Sequence, residues 1–141
     1  GNRESELNGL IWLWNRETKL GKVFSSSTIF QLPNGGRRSP DVAWVQNARW
    51  AALTPEEQEK FPPICPDFVI ELRSRTDNLE QLQVKMQEYL NSGLHLGWLI
   101  NPQKQQVEIY RPNQEVETRP LPTSLSGETV LPGLNLELER F

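Results

Sequence analysis

The sequence predicts an α/β fold in which α-helices flank a mixed central β-sheet. The first indication is a strand, a capped helix and a second strand in close succession, at residues 66–73, 78–91 and 96–100. This order predicts a right-handed βαβ unit with at least one parallel strand pair. The second indication is two segments rich in β-branched and aromatic residues, KVFSSSTIFQL and DVAWVQ, on either side of the turn-forming PNGGRRSP. They predict antiparallel strands, so the sheet is expected to be mixed.

The chain begins with a predicted helix, ESELNGLIWLWNRETKLG, that ends at Gly21. Leu7, Leu10, Ile11 and Trp14 recur in it at helical spacing. The two antiparallel strands follow, and the segment after them predicts a short helix.

The middle of the chain carries the clearest helix signals. Thr54 can cap the short helix, and residues 66–73 predict the most buried strand. Asp77, followed three residues later by Glu80, is a variant of the capping box, and the apolar stripe after it ends at Gly93. This helix is expected to connect the two parallel strands.

Three more strands are predicted towards the end of the chain, in HLGWLI, QQVEIYRP and NLELERF. The first two are joined by a short Asn-Pro turn. Residues 112–132 are predicted to be the looser part.

The length and composition restrict the class of protein. A chain of 141 residues predicts a single domain over residues 1–141, and because it starts without methionine directly in a helical pattern, a natural N-terminal segment is expected to be missing. Cys65 is the only cysteine, which excludes an intrachain disulfide and predicts a cytoplasmic location. No apolar run approaches the ~18 residues of a membrane span. The net charge of -3 requires any nucleic-acid binding to use a local patch or bridging metal ions.

Two carboxylates lie in unusual positions for a surface charge. Asp41 follows Pro40 at the start of a strand, and Glu71 lies in the middle of the most buried strand. If both strands belong to one sheet, the two carboxylates can converge at one end of it and bind Mg²⁺, which takes one or two carboxylates and several waters. Asp67 is a third candidate, although its place after Pro66 fits a turn or cap role equally well.

Two basic residues could complete such a site. Arg73 lies two residues after Glu71 on the same strand face, and Lys85 lies at the margin of the helical apolar stripe. A lysine can orient water or neutralise a phosphate, whereas an arginine stays charged and can only stabilise negative charge.

Structural alternatives remain open for each of these residues. Glu71 and Arg73 could form an ion pair on a half-exposed strand, Asp41 could belong to a turn, and Lys85 could lie on a solvated helix face. The sole histidine, His95, is expected to be structural. A hydrolase that uses Ser25 to Ser27 would therefore lack a credible base.

Several segments together resemble a known family. SPDVAWV, PDFVIELRSRTD and KMQEYLNSGLHLGWLINP resemble, in the same order, a bacterial family of restriction-endonuclease-like proteins within the PD-(D/E)xK nuclease superfamily, often described only as a domain of unknown function. The resemblance extends from about residue 4 to residue 111. It implies a restriction-endonuclease-like core and phosphodiester hydrolysis that depends on Mg²⁺, with Mn²⁺ as a possible substitute.

The resemblance also implies roles for individual residues. Asp41 matches the aspartate of the first motif and Glu71 the glutamate of the second, so both would bind the metal, with the backbone carbonyl of Leu72 as a further ligand. The lysine expected two residues after the glutamate is replaced by Arg73. The resemblance therefore points to Lys85 as the lysine that orients water or offsets charge.

One more residue and two functions complete the interpretation. Glu6 is the best match for a helical glutamate that acts from the outer shell of the site. The predicted function is a Mg²⁺-dependent DNA endonuclease, and the alternative is a catalytically inactive nuclease-fold module that binds a protein or a nucleic acid. Trp12 suggests self-association, so a homodimer is possible, and no membrane association is expected.

Overall fold

A six-stranded mixed sheet lies at the centre of the fold, and helices pack on both of its faces. The structure is a computed structural model that describes residues 2–141. The helices are α1 (Asn2–Thr18), α2 (Asn47–Ala51), α3 (Pro55–Glu59) and α4 (Leu79–Asn91), with a 3₁₀ turn at Pro102–Lys104. The strands are β1 (Gly21–Ser25), β2 (Phe30–Gln31), β3 (Arg37–Arg38), β4 (Val42–Gln46), β5 (Phe68–Leu72), β6 (Leu96–Asn101), β7 (Gln106–Tyr110), β8 (Glu117–Pro120), β9 (Thr123–Ser126) and β10 (Asn135–Leu138).

The order of strands in the central sheet is β1-β4-β5-β6-β7-β8. Strands β5 and β6 are parallel and are connected through α4, whereas every other neighbouring pair is antiparallel. The predicted mixed α/β sheet, including its strand-helix-strand unit, is therefore confirmed. Within residues 2–141, no helix is both long enough and apolar enough to cross a membrane.

Each face of the sheet has its own apolar core. Leu7 and Ile11 of α1 pack on one face together with residues of β9 and β10. Met86 and Tyr89 of α4 pack on the other face. Glycine at position 97 lets α4 approach the sheet closely, because a Cβ there would lie 2.7 Å from Cε of Met86. The side chains of β5 are thus buried on both faces, which explains its nearly continuous apolar sequence.

The first predicted strand is interrupted. Strand β1 pairs with β4 in the central sheet, whereas β2 and β3 form a separate two-stranded sheet. Between β1 and β2 the amide of Thr28 donates to the carbonyl of Ser25, and the amide of Ser27 donates to Oγ of Ser25. This serine-rich turn replaces the strand hydrogen bonds, because short hydroxyl side chains offer the backbone local partners.

The start of α4 differs from the prediction by one residue. Asn78 is the N-cap, and its Oδ1 accepts a hydrogen bond from the amide of Gln81 at 3.0 Å. Asp77 instead accepts from the amide of Ser74 and closes the preceding turn. The predicted capping box of Asp77 and Glu80 is therefore wrong, although the helix itself is confirmed.

Two further predictions were tested by the fold. Thr54 caps α3 through a capping box with Glu57, so that short helix is confirmed. Residues 112–132 contain two strands, β8 and β9, and are less irregular than predicted. Strand β8 forms an edge of the central sheet and β9 pairs with the final strand β10.

Candidate active site at the end of strands β4 and β5

The register of β4 and β5 brings Asp41 beside Glu71. Val42 pairs with Ile70 in this antiparallel ladder, so the next residue of each chain segment places Asp41 opposite Glu71. Because side chains alternate between the faces of a strand, both carboxylates point to the face covered by α4. Two residues that are 30 positions apart in the sequence are therefore neighbours at one end of the sheet.

Asp41 is held by the backbone of β5. Its Oδ2 accepts a hydrogen bond of 2.7 Å from the amide of Leu72. Burial is the main reason that the pKa of the Asp41 carboxyl rises from 3.8 to about 6, the negative charges of Glu71 and Glu4 add to the rise, and the Leu72 hydrogen bond opposes it. This is an environment in which ionisation is costly unless a cation is present.

Glu71 is only 4% exposed and has two partners on α4. Nζ of Lys85 lies 2.9 Å from its Oε2, and the hydroxyl of Tyr89 donates to the same oxygen at 2.7 Å. Burial raises the pKa of the Glu71 carboxyl, and the positive charge and hydrogen bond of Lys85 oppose that rise. Lys85 and Tyr89 lie four residues apart, on one face of the helix, which explains why both reach one carboxylate.

Among the described residues, Asp41 and Glu71 each bind other protein groups through only one of their two carboxylate oxygens. Each has one oxygen committed to the protein: Oδ2 of Asp41 to the Leu72 amide, and Oε2 of Glu71 to Lys85 and Tyr89. Within residues 2–141, the other oxygen of each has no hydrogen-bond donor or basic nitrogen as a partner. In the same part of the chain, no three histidine, cysteine, aspartate or glutamate side chains are grouped to hold a metal ion. The side-chain atoms available to bind a metal ion here are therefore one carboxylate oxygen of Asp41 and one of Glu71.

Arg73 does not join the carboxylates. Its Nη1 donates to Oδ1 of Asn101 at 3.2 Å and its Nε to the carbonyl of Asp77 at 3.4 Å. The alternative of an ion pair between Glu71 and Arg73 on a half-exposed face is not observed, because Glu71 is buried and pairs with Lys85. Arg73 follows the last residue of β5 and lies at the rim of the sheet.

The helical glutamate nearest the site is Glu4 rather than Glu6. Glu4 is half-buried and its charge acts on Asp41, whereas Glu6 is exposed. Residues two positions apart lie on different sides of a helix, so α1 cannot present both to the same point. The structure thus brings Asp41, Glu71 and Lys85 together, and it does not bring Glu6 to them.

Asp67 lies at the opposite end of β5 from Glu71. Its Oδ2 accepts from the amide of Gln46 at 2.8 Å and lies 3.0 Å from Nη1 of Arg49, while the half-exposed ring of His95 lies 3.7 Å from Oδ1. These contacts tie α2 and β4 to the start of β5. Asp67 therefore has the structural role that its position after a proline indicated.

The two adjacent arginines of the turn-forming segment, Arg37 and Arg38, form contacts within the fold. Nε of Arg38 lies 2.6 Å from Oε1 of Glu88 on α4, and Arg37 covers the ring of Phe61. These contacts attach the β2–β3 hairpin to the protein surface. Trp12, which suggested self-association, is 49% exposed.

The sequence interpretation missed Tyr89, Glu4 and Asn101. Tyr89 was assigned to the apolar stripe of α4, yet its spacing of four from Lys85 would have placed its hydroxyl beside the same partner. Glu4 and Glu6 could not be told apart without the rotation of α1. Asn101 is fully buried at the end of β6, and its Nδ2 has no hydrogen-bond partner among the described residues.

Comparisons with known proteins agree with this fold. A solved structure of a putative nuclease belonging to DUF820, from Anabaena variabilis ATCC 29413, superposes with a TM-score of 0.82 over 96% of this chain and 75% of that one. The two sequences are 24% identical, so the likeness shows the fold. No curated protein matches the chain. The model of the family Uma2, described as putative restriction endonuclease, matches residues 1–139, and because it covers nearly the whole sequence, the chain belongs to the Uma2 family.

Proposed function

We propose that this protein hydrolyses phosphodiester bonds in DNA with the help of Mg²⁺. The observation that carries the proposal is the pair Asp41 and Glu71, which lie side by side with one unpartnered oxygen each and with Lys85 beside them. Membership of a family of restriction-endonuclease-like proteins supports a nuclease-like function. Mg²⁺ as the metal ion and DNA as the substrate are both parts of the proposal.

The donor set fits Mg²⁺. This ion prefers hard oxygen ligands and commonly binds to one or two carboxylates while it keeps several waters. Asp41 and Glu71 would supply the carboxylates, and the main-chain carbonyl of Leu72 is the further ligand that we propose. Mn²⁺ takes similar oxygen ligands and is expected to substitute. When bound, the ion would polarise a phosphoryl oxygen and lower the pKa of a water molecule.

The residues around the two carboxylates would position those carboxylates and stabilise negative charge on the phosphate. The Lys85 ammonium is fixed 2.9 Å from Glu71, so its charge lies where negative charge develops during attack on phosphorus. Tyr89 donates to the same carboxylate oxygen as Lys85, which leaves the other oxygen of Glu71 for a metal ion. We propose Glu4, in place of Glu6, as the helical carboxylate that acts from the outer shell. Arg73 can offset phosphate charge only from the rim of the sheet.

The test is cleavage of supercoiled, linear and single-stranded DNA in Mg²⁺ and in EDTA. We expect Asp41→Asn and Glu71→Gln to reduce Mg²⁺-dependent cleavage at least about 100-fold, because each removes a charged ligand. Glu108→Gln is the matched control, since Glu108 is equally buried on β7 and is held by Tyr110 and Gln83 away from Lys85. Full Mg²⁺-dependent cleavage by Glu71→Gln would refute the site assignment.

A catalytically inactive nuclease-fold module is the second candidate. The ion pair between Lys85 and Glu71 favours it, because a lysine that already neutralises a carboxylate competes with a metal ion for that carboxylate. Calorimetric titration with Mn²⁺ separates the two candidates. Binding that is lost in Asp41→Asn supports the enzyme, whereas no binding to the wild-type protein supports the inactive module.

A further inference from the structure

Three arginines line a cleft beside the candidate active site. The cleft has a volume of about 640 Å³, and its wall includes Arg3 of α1 together with Arg73 and Arg75, which follow β5. Within residues 2–141, Glu4 is the only acidic side chain that lines it. We refer to Arg3, Arg73 and Arg75 as the arginine cleft. Its local excess of positive charge contrasts with the net charge of -3 of the whole protein.

Within the described part of the chain, the three arginines have no acidic partners. Among residues 2–141, none of them lies within 4.0 Å of a carboxylate oxygen. Four other arginines form such ion pairs: Arg38, Arg49, Arg111 and Arg119. Unpaired guanidinium groups on a concave wall repel one another unless an anion lies between them, so their clustering indicates an anionic ligand.

Two of the arginines are held in place by neutral groups. Arg73 donates to Oδ1 of the buried Asn101 and to a main-chain carbonyl, and Arg3 lies over the ring of Phe141 at 4.4 Å from its centroid. Neither contact neutralises the guanidinium charge. Arg75 is exposed at the mouth of the cleft. The charges are thus oriented in advance yet remain available to a ligand.

The cleft borders the carboxylate pair. Leu72 lines the cleft, and its amide binds Asp41. Glu4 also lines the cleft, and its charge acts on Asp41. Neither carboxylate lines the cleft, but the cleft shares Leu72 and Glu4 with their surroundings, so a ligand there would lie next to a phosphate bound through a metal ion on Asp41 and Glu71.

We propose that the arginine cleft binds internal phosphodiester groups of a DNA strand that flank the reacting phosphate. Guanidinium groups match phosphate oxygens through parallel N–H donors, and a row of them follows a sugar-phosphate backbone without reading its bases. The cleft therefore supplies affinity and register, whereas the carboxylates and Lys85 supply the chemistry. This inference rests on the proposed function for its choice of ligand.

The test measures binding without cleavage. Fluorescein-labelled 20-nucleotide DNA, single-stranded and as a duplex without terminal phosphates, is titrated in EDTA at several salt concentrations. We expect Arg3→Gln and Arg75→Gln each to weaken binding by about three- to tenfold and to reduce the salt slope by about one. Arg16→Gln is the matched control, because it removes the same charge from the same helix about 20 Å away along its axis.

The outcomes separate the cleft from the chemistry. A double variant, Arg3→Gln with Arg75→Gln, that binds as tightly as Arg16→Gln overturns the inference, and so does a wild-type protein that binds neither DNA form. Binding that depends on the cleft, in a protein that cleaves no DNA in Mg²⁺, supports the inference and refutes the proposed catalysis. Cleavage and affinity that both survive the double variant support the catalysis and overturn the inference.

Discussion

Replacement of Asp41 by asparagine should stabilise the protein at pH 8 while it removes activity. Burial raises the pKa of the Asp41 carboxyl from 3.8 to about 6, so the native state binds the proton more tightly than the unfolded state does. Wild-type stability therefore falls as the pH rises from about 4 to about 6, and the full penalty remains above that range. Asparagine carries no charge and keeps an oxygen that can accept from the amide of Leu72.

The size of the effect follows from the pKa. The difference between 3.8 and about 6 corresponds to about 3 kcal/mol for a fully buried group. Asp41 is only half-buried, so solvent screening reduces this, and we expect Asp41→Asn to gain about 1.5 kcal/mol at pH 8. At pH 4 the two proteins should differ by less than about 0.5 kcal/mol, because the native carboxyl is then protonated.

Urea unfolding in EDTA, followed by the fluorescence of the five tryptophans, measures this difference. Asp67→Asn is the control, since it makes the same substitution at the other end of β5. There the carboxylate is paired with Arg49, so we expect a loss of about 1–2 kcal/mol at pH 8. If Asp41→Asn is no more stable than the wild type at pH 8, or if its gain does not shrink towards pH 4, the assigned environment of Asp41 is wrong.

Three further predictions test residues around the two carboxylates Asp41 and Glu71. Lys85→Met should lower kcat about 100-fold or more, because it removes the positive charge beside the reacting phosphate. It should not weaken Mn²⁺ binding, because it removes a cation that competes for Glu71. Weaker Mn²⁺ binding measured by calorimetry would contradict this. Tyr89→Phe removes a buried hydrogen bond to Glu71, so we expect a loss of about 1–2 kcal/mol in urea unfolding and an activity-pH profile displaced to higher pH. Its profile should be unchanged if the hydroxyl has no part in holding the carboxylate. Glu4→Gln should reduce kcat more than Glu6→Gln does, and equal effects in the cleavage assay would argue against a role for Glu4.

The sequence predicted those parts of the fold that depend on local patterns. The strand-helix-strand unit, the apolar stripe of α4 and the helix cap at Thr54 all depend on local sequence patterns, and all are present. The serine-rich break after β1 escaped notice because its hydroxyl side chains form a turn in a segment with strand-like composition. Strands β8 and β9 have four residues each, ETRP and TSLS, and contain almost no apolar side chains, so no alternating pattern marks them in the sequence.

In the candidate site, too, some features could be predicted from the sequence and others could not. The convergence of Asp41 and Glu71 followed from strand alternation once both strands were assigned to one sheet, and the position of Lys85 followed from the resemblance. The choice between Glu4 and Glu6 depends on how α1 is rotated about its axis, which the sequence does not specify. Tyr89 was hidden because an aromatic residue in an apolar stripe is expected to serve packing alone.

Because Lys85 lies on α4 and not on β5, the site forms only when α4 packs on the sheet. A lysine two residues after Glu71 would share the strand with its partner, whereas Lys85 reaches Glu71 only because α4 packs on the sheet through Met86 and Gly97. The charge balance of the site is therefore tied to tertiary packing. The guanidinium of Arg73 does not neutralise Glu71. It donates a hydrogen bond to Asn101 and lines the cleft. The positive charge beside the carboxylates therefore comes from Lys85 on α4, and Arg73 instead lines the cleft in which we propose that a DNA strand binds.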